Sequence, residues 1–428
     1  MNNYQQIIDY LFALQRFGIK LSLDNINALL LPLDNPHENW PCIHIAGTNG
    51  KGSTAAMLES VLMKAGYKVG LYTSPHLVDF RERIRINRTQ IPKKDVIDFT
   101  LRMKDLIETI TPSFFEVATA LAFWYFSKEK IDIAIIEVGL GGRLDSTNVV
   151  TPLISVITKV DMDHQQYLGN TIQEIAAEKA GIIKSSIPCI TNNRNEVVLG
   201  VITQKCISKN SELIKIVDFC EFKIKTMNLD GTFIDLKIGN DIFNNLYINL
   251  AGNHQIENAI LAIGTLLILR SKLKISANYI TEGVGDIQWK GRINLISKEP
   301  FIIIDVSHNT SGFNRTLSFL SNYFTEEQLN VVTALQEDKD FQKISELLSY
   351  SSKEVYLVDL KLGKPLKPSK FADVLYQKGI ATTIINSIDE INPKILQSKK
   401  LDKLWLIIGS HYLAGEAYKN FKILDFNN

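Results

Sequence analysis

The chain has 428 residues, of which 45% are hydrophobic and 22% are charged, a composition typical of a globular protein with two or three domains. Lys and Arg number 47 against 46 Asp and Glu, so the formal net charge of +1 excludes a bulk field that would attract nucleic acid or an anionic membrane. No apolar run approaches the ~18 residues that a membrane span needs, and the four scattered cysteines include no CxxC pair.

These features predict a cytoplasmic protein. The N-terminus lacks the basic segment and the small-residue cleavage site of a secretory signal, and the cysteine spacing argues against a disulfide framework or a zinc site. We expect no nucleic-acid or membrane partner. We also expect a monomer, because the sequence shows no evident exposed apolar stripe.

The first half of the chain predicts strands that alternate with helices. After an N-terminal helix, the strand CIHIA (42–46) enters a glycine loop and a helix from about Lys51 to Ala65. The short apolar runs YKVGLY, IDIAIIEV, LISVIT and IPCIT then alternate with helical patterns such as FFEVATALAFWYF and TIQEIAAEKAGII. Strands that are apolar on both faces and alternate with helices indicate a mainly parallel sheet and an α/β fold.

A change of pattern follows from about Leu213 to Leu250. Short alternating segments with Gly, Asn and Asp turns predict an antiparallel excursion, which we expect at a sheet edge. A long helix from about His254 to Leu269 precedes a second αβ series, FIIIDV, NVVTAL, EVYLVDL, ATTII and LWLIIG. We place the domain boundary near Gly291, giving domains 1–291 and 292–428, the second about the size of one Rossmann-like domain.

The segment GTNGKGST (47–54) predicts a phosphate-binding loop. Its glycines let backbone N–H groups converge on phosphate oxygens, Lys51 adds a positive charge, and Ser53 or Thr54 offers a hydroxyl to magnesium. The strict pattern GxxxxGK[ST] is not met, because Ile45 replaces the first glycine and Gly52 separates Lys51 from Ser53. The alternative is an ordinary glycine turn with an exposed lysine.

Two further strand ends carry polar residues. Glu137 ends IDIAIIEV and is followed by glycines and Arg143, so it is a candidate magnesium ligand, with Arg143 placed to hold an anion. Asp161, Asp163 and His164 follow LISVIT and suggest metal ligation or the orientation of a ligand. An ion pair for the glutamate, and a capping or hydrogen-bonded pair for the histidine, are the competing interpretations.

Four later segments also carry candidate polar residues. Lys179 lies in a helix with a buried apolar face, where a lysine is usually solvated. Gln255 and Asn258, near a helix start, fit nucleobase recognition or N-capping equally well. Arg292 lies at the domain junction, and DVSHN (305–309) ends the first strand of the second domain with a cluster of polar groups that predicts a site.

Several segments together resemble the folylpolyglutamate synthase and dihydrofolate synthase branch of the Mur ligase family. They occur in the family's order along nearly the whole chain: HIAGTNGKGST, YTSPHL, FFE, EVGLGGRLDSTN, DHQQYLG with EKAGIIK, NAILA, KGR, DVSHN, DKD and GSHYLAGE. The resemblance implies a Mur-ligase-like P-loop ATPase domain with a mainly parallel sheet and a small antiparallel excursion. A Rossmann-like C-terminal domain would follow.

The resemblance also implies roles for individual residues. The catalytic set would be Lys51, His164, Lys179 and Arg292. The ATP-binding set would be Gly47, Thr48, Asn49, Gly50, Lys51, Gly52, Ser53, Thr54, Asn258, Arg292, Asp305 and His308. Magnesium would be held by Ser53, Ser74, Glu137 and His164, and the folate-like acceptor by Pro75, His76, Leu77, Phe115, Glu116 and Arg143.

The implied reaction is ATP-dependent amide ligation. The acceptor carboxylate attacks the γ-phosphate to give an acyl phosphate and ADP, and the amine of L-glutamate then displaces phosphate. The implied cofactors are ATP and Mg2+, with a monovalent cation and a carbamate on Lys179 as further options. The sequence departs from the family pattern at Thr310, where proline is usual, and at acidic Asp161. It leaves open whether the acceptor is dihydropteroate, a folate, or both; we expect both.

Two other functions remain as alternatives. A Mur-type peptidoglycan or cyanophycin-like amide ligase is disfavoured by GTNGKGS and YTSPHL. A P-loop NTPase used as a switch or binding module would draw on TKVD (158–161), which superficially matches the NKxD motif of GTPases. That interpretation leaves Lys179, Arg292 and DVSHN without roles.

Overall fold

The computed structural model describes residues 3–18, 22–398 and 403–421. Its largest sheet has eight strands in the order β4-β3-β2-β5-β1-β6-β7-β8. These strands are β1 (Cys42–Ala46), β2 (Val69–Tyr72), β3 (Ile84–Ile86), β4 (Thr89–Gln90), β5 (Ile133–Glu137), β6 (Ile154–Ile157), β7 (Cys189–Thr191) and β8 (Leu213–Lys215). Neighbours from β2 to β8 run parallel, which confirms the mainly parallel sheet.

The parallel direction of these strands places their carboxyl ends along one edge. In sheets of this kind, ligands bind beyond that edge, where loops and helix N-termini meet. Residues of β1 and β5 are buried throughout, as expected for central strands covered on both faces. The antiparallel strands β3 and β4, which the sequence analysis did not predict, extend the sheet beyond β2.

The helices that accompany this sheet are mostly apolar where they pack. They are α1 (Tyr4–Ala13), α2 (Asp24–Leu30), α3 (Lys51–Lys64), α4 (Lys93–Ile110), α5 (Phe114–Lys128), α6 (Gln165–Leu168), α7 (Ile172–Ala180), α8 (Glu196–Ser208), α9 (Asn253–Leu269) and α10 (Ala277–Gly285). Helix α5 begins with a capping box between Ser113 and Glu116 and is buried on nearly all sides. One core cluster joins α1, α2, α4 and α5, and another joins α7 and α8.

The predicted excursion forms a sheet of its own. Strands β9 (Cys220–Asn228), β10 (Gly231–Ile238) and β11 (Asp241–Ile248) have the order β11-β10-β9 and are joined by two-residue turns, which only antiparallel neighbours allow. The expectation that this excursion is an edge of the parallel sheet was wrong. Strand β8, within the same stretch of sequence, joins the large sheet instead, because it pairs in parallel with β7.

A six-stranded sheet occupies the last part of the chain, in the order β12-β13-β17-β14-β15-β16. Its strands are β12 (Asn294–Lys298), β13 (Phe301–Asp305), β14 (Leu329–Thr333), β15 (Glu354–Val358), β16 (Ala381–Ile385) and β17 (Leu404–Ile408). All neighbours are parallel except β12 with β13. The helices are α11 (Thr310–Leu320), α12 (Phe341–Ser349), α13 (Pro368–Gln377), α14 (Asn392–Gln397) and α15 (His411–Asn420).

The chain divides into two compact units. The first comprises residues 1–223, 234–247 and 257–288, and the second comprises 224–233, 248–256 and 289–428. The boundary near Gly291 stays a prediction, since two earlier segments group with the second unit. In the described ranges, no helix combines the length and apolar character required to cross a membrane.

Candidate active site

The phosphate loop connects β1 to α3, as the sequence predicts. Gly50 is the N-cap residue of the helix at φ +95° and, as a glycine, supplies no side-chain cap. A Cβ on Gly50 would lie 2.3 Å from Asn258 Oδ1, and one on Gly47 would lie 1.8 Å from Thr158 Oγ1. Both positions therefore require glycine, and the loop brings the backbone N–H groups that begin α3 to the sheet edge where anions bind.

Two lysine ammonium groups share one acceptor in this loop. Lys51 Nζ and Lys179 Nζ each donate to the carbonyl oxygen of Gly47 at 3.0 Å, and Lys51 also donates to Thr48 O at 3.3 Å. Lys179 is only 4% exposed, so the expectation of a solvated helix residue was wrong. Burial, and then the charge of Lys51, lower the pKa of Lys179 to about 7. Two lysine side chains thus meet at the loop where an anion is expected to bind.

Two hydroxyl groups near the start of α3 are buried and lack a hydrogen-bond partner among the residues that the structure describes. Ser53 is 1% exposed, and neither its Oγ nor Thr54 Oγ1 has a hydrogen-bond partner among the described residues. Buried hydroxyls normally satisfy their hydrogen bonds, so an unsatisfied pair beside a phosphate loop indicates a position for a ligand. Ser53 therefore fits the predicted contact with a phosphate or its metal ion.

The segment after β6 holds the phosphate loop in place. The Thr48 hydroxyl donates to Asp161 O at 2.9 Å and accepts from Asp161 N at 3.1 Å, while Asn49 Nδ2 donates to Asp161 Oδ2 at 3.0 Å. The backbone N–H groups of Thr48 and Asn49 both donate to Lys159 O. Asp161 thus binds Thr48 and Asn49 of the phosphate loop. The similarity of TKVD to the NKxD motif had not suggested this structural role.

Glu137 is the last residue of β5 and is 4% exposed. In the parallel register it lies opposite Ile45 of β1, one residue before β1 ends at Ala46. This register places the carboxylate beside the strand that leads into the phosphate loop. His164 lies after β6 with φ +50°, and its Nε2 is 4.0 Å from Asp163 Oδ2.

A buried hydrogen-bond chain of His44, Thr147 and Asp145 supports the glycine loop after Glu137. The sequence motifs had not indicated a role for these three residues. Asp145 accepts from Leu140 N at 2.9 Å and from the Thr147 hydroxyl at 2.5 Å, and Thr147 Oγ1 is 2.9 Å from His44 Nε2. Because the Thr147 proton goes to Asp145, His44 donates through Nε2. Burial lowers the pKa of His44 to about 3 and raises that of Asp145. A histidine inside the apolar strand CIHIA was the available signal.

Five of the six predicted acceptor residues lie in the loop after β2 or at the start of α5. Pro75, His76 and Leu77 form a partly exposed loop after β2, and Phe115 packs its ring 5.9 Å from that of Tyr72. Glu116 is 3% exposed; its Oε2 accepts from Ser113 N at 2.6 Å, while Oε1 has no partner among the described residues.

Arg143, the sixth predicted acceptor residue, is bound to a carboxylate of the protein. Its guanidinium is half exposed and binds Glu178 Oε1 at 2.8 and 3.0 Å. The side chain is therefore engaged by a carboxylate of α7, and its predicted role toward an anion stays a prediction.

The remaining predicted residues lie in the second unit. Asp305, 1% exposed, accepts from Ile293 N and Ser307 N at 2.8 Å each, so its carboxylate ties the residue before β12 to the segment that follows β13. His308 Nδ1 donates to Val306 O at 3.0 Å, and its ring lies 5.4 Å from that of His411. Arg292 donates to Gly291 O at 3.2 Å.

Within the part of the chain that the structure describes, no three His, Cys, Asp or Glu side chains gather as a metal site. Magnesium usually binds through one or two carboxylates together with substrate phosphates and water, and such a site needs no cage.

Comparison with known proteins matches both parts of the chain to one family. Residues 45–266 match the Mur ligase middle domain, and residues 291–411 match the Mur ligase, glutamate ligase domain. The chain is similar to the dihydrofolate synthase/folylpolyglutamate synthase of Bacillus subtilis, with 33% identity over 98% of this chain and 99% of that protein.

Solved structures agree along the whole chain. The structure is similar to Mycobacterium tuberculosis folylpolyglutamate synthase complexed with ADP, with a TM-score of 0.88, 27% identity, and coverage of 98% of each chain. It is also similar to Escherichia coli FolC in complex with DHPP and ADP, with a TM-score of 0.87, 26% identity, and coverage of 97% of each chain.

Proposed function

The chain belongs to the folylpolyglutamate and dihydrofolate synthase branch of the Mur ligase family, and on this premise we propose that it adds L-glutamate both to dihydropteroate and to folate polyglutamates. It is an ATP-dependent ligase. The observation that carries the ATP part of this proposal is the placement of Lys51 in the loop before α3, where its ammonium group donates to Gly47 O and Thr48 O, because this loop supplies the charge that phosphoryl transfer requires.

The reaction has two steps. The acceptor carboxylate attacks the γ-phosphorus of ATP and expels ADP, which leaves an acyl phosphate. The amine of L-glutamate then attacks the acyl carbon, phosphate leaves, and the amine loses a proton. No protein nucleophile is needed, so the chain contributes positioning and electrostatic stabilisation. Lys51 and the first N–H groups of α3 would bind the phosphates as negative charge develops on them.

Magnesium would be held by Ser53, Ser74, Glu137 and His164. The unsatisfied buried hydroxyl of Ser53 and the strand-end carboxylate of Glu137 are hard oxygen ligands of the kind this ion prefers. When bound, the ion would neutralise charge on the phosphates during transfer. The protein's own contribution is to hold one oxygen in the first turn of α3 and the other at the end of β5.

Lys179 has the properties that carbamate formation needs. Its lowered pKa leaves a substantial neutral fraction near pH 7, and a neutral amine can attack CO2 and lose a proton to give an anionic carbamate. In the structure two ammonium groups oppose each other across Gly47 O. The modification would replace one of these charges with an anion and so remove the repulsion.

The nucleotide would also contact residues outside the loop. Asn258 borders Gly50 and is assigned to adenine, which its side-chain amide can both donate to and accept from. Arg292, Asp305 and His308 belong to the second unit, and we assign them to the nucleotide as the family resemblance implies. Arg292 would contact the terminal phosphate.

The acceptor is assigned to Pro75, His76, Leu77, Phe115, Glu116 and Arg143. Glu116 Oε1 supports this assignment, because a buried carboxylate oxygen without a protein donor is suited to an N–H group of a ligand. Phe115 offers an aromatic face to a flat ring.

The test is phosphate release from ATP and Mg2+ with L-glutamate, measured with dihydropteroate, with tetrahydrofolate and without acceptor. Release with both acceptors is expected. Release with one acceptor alone would reject the double activity and keep one half of it. If neither acceptor supports release while ATP still binds, the folate assignment fails and the nucleotide switch becomes the better explanation.

A further inference from the structure

One carboxylate binds three backbone N–H groups of the loop that follows β2. Glu82 accepts three consecutive backbone N–H groups, those of Leu77 at 2.7 Å, Val78 at 3.0 Å and Asp79 at 2.8 Å. Three successive N–H groups that converge form an anion-binding concavity, and here the anion is a side chain of the same segment. The backbone of residues 77–79 is thereby fixed in one conformation.

Helix capping explains only part of this arrangement. Asp79 caps the short turn Phe80–Arg83, and Glu82 returns a bond to the Asp79 N–H, as a capping box requires. The bonds to Leu77 and Val78 lie before the cap and add nothing to the turn. They shape instead the part of the loop that leads back to Ser74, Pro75 and His76.

Other contacts tie both ends of the same segment. Thr73 N donates to Arg83 O at 3.0 Å, and Arg83 Nε donates to His76 Nδ1 at 2.8 Å. Asp79 accepts from the Tyr4 hydroxyl at 3.1 Å and from the Arg81 guanidinium at 2.8 Å. Because Pro75, His76 and Leu77 are themselves partly exposed, these bonds hold a surface loop rather than a core element.

We propose that Glu82 is a positioning residue for the acceptor: it presets residues 75–79 of this loop in the conformation that binds the folate-like substrate. The inference rests on the proposed function, which assigns Pro75, His76 and Leu77 to that substrate. A loop that is ordered before binding loses less conformational freedom when the substrate binds. The acceptor should therefore bind more tightly. The three N–H groups that Glu82 binds belong to Leu77, Val78 and Asp79, so its bonds lie outside the ATP loop 47–54 and three or more residues beyond Ser74, the proposed magnesium ligand.

The test is the substitution Glu82→Gln. Glutamine keeps the length and one acceptor oxygen but places an NH2 group against at least one of the three N–H donors. Loss of a hydrogen bond to a charged acceptor predicts a KM for tetrahydrofolate or dihydropteroate raised about tenfold. The KM for ATP and kcat should each stay within about threefold of the wild type.

Glu174→Gln is the matched control. Like Glu82, Glu174 is the N3 residue of a capping box. It accepts from Asn170 N at 2.8 Å and from Thr171 N at 3.0 Å, at the start of α7. It should leave the acceptor KM unchanged. An equal rise in both variants would mean that any lost cap produces the effect, and the proposal would be abandoned.

Hydrogen exchange gives a readout that is separate from activity. The amides of residues 77–79 should be protected in the wild type and exchange at least about tenfold faster in Glu82→Gln. Faster exchange with an unchanged acceptor KM overturns the proposal, as does unchanged exchange. If Glu82→Gln does not fold, Glu82→Asp keeps the charge but is too short to reach all three N–H groups, and it replaces Gln in both measurements.

The wild type tests the proposed function, whereas the Glu82 variants test the positioning role. If the wild type itself releases no phosphate with either acceptor, the proposed function fails, and this positioning role fails with it. If the wild type is active and only the acceptor KM of the Glu82 variants stays normal, the positioning role alone is rejected.

Discussion

At the scale of single residues, the charge pair on Gly47 O is the most consequential feature of the site. Lys51 and Lys179 come from different helices, and both direct an ammonium group at one carbonyl oxygen. Their positions explain why one lysine can serve the phosphates while the other is tuned toward neutrality.

Lys51→Ala should abolish turnover without unfolding the protein. The substitution removes a charge that bonds only polar loop atoms in this structure, so no apolar packing is lost. We expect kcat/KM to fall at least about 100-fold and the melting temperature to change by no more than about 2 °C. Lys64→Ala, at the other end of α3 in an exposed ion pair with Asp286, is the control and should keep full activity.

Lys179 should make stability depend on pH in a defined direction. An unfolded lysine stays protonated up to about pH 10, whereas the folded pKa is about 7. Between these values the unfolded state binds more protons, so the contribution of Lys179 to stability rises with pH. In CO2-free buffer, the melting temperature from pH 7 to 9 should rise at least about 3 °C more in the wild type than in Lys179→Met. Parallel profiles would contradict the lowered pKa.

At the scale of elements, α3 joins a phosphate loop at one end to an ordinary glycine turn at the other. Gly50 precedes the helix at φ +95°, and Gly66 follows it at φ +89°. A Cβ on Gly50 would meet Asn258, whereas one on Gly66 would meet nothing within 4 Å. The two ends therefore provide matched backbone strain with and without a steric clash.

Gly50→Ala and Gly66→Ala should separate these two effects. Both variants should lose about 1–2 kcal/mol of stability from left-handed backbone strain. Only Gly50→Ala should also displace the loop and raise the KM for ATP, by about tenfold or more. ATP kinetics and chemical denaturation of both variants provide the check; equal ATP kinetics would mean that the contact with Asn258 does not shape the nucleotide site.

At the scale of the whole molecule, the net charge of +1 means that anionic ligands must be bound locally. A ligand held by such a site stabilises the folded state by mass action. A non-hydrolysable ATP analogue with Mg2+ at about 100 times its Kd should contribute ~2.7 kcal/mol and raise the melting temperature by several degrees. The GTP analogue and the Lys51→Ala variant should give much smaller shifts. Equal stabilisation by the GTP analogue would favour the switch alternative.

The sequence by itself determined the elements whose signal is local. The runs that became β1, β5 and β6 are apolar at nearly every position, which is the pattern of strands buried on both faces, so the parallel sheet followed from periodicity. The phosphate loop was identified because glycine, lysine and hydroxyl residues act there at fixed spacing between a strand and a helix. Strands β3, β4 and β12, which lie at or next to a sheet edge, were missed because such short strands carry little continuous apolar pattern.

Only the tertiary structure decided the state of Lys179 and the network behind Glu137. Helical spacing gives Lys179 a place on α7, but its burial depends on contact with Gly47, which is 132 residues away. The chain from His44 through Thr147 to Asp145 likewise joins residues 103 apart. Periodicity and local motifs report what neighbours in sequence do, whereas desolvation and buried hydrogen bonds depend on which distant segments the fold brings together.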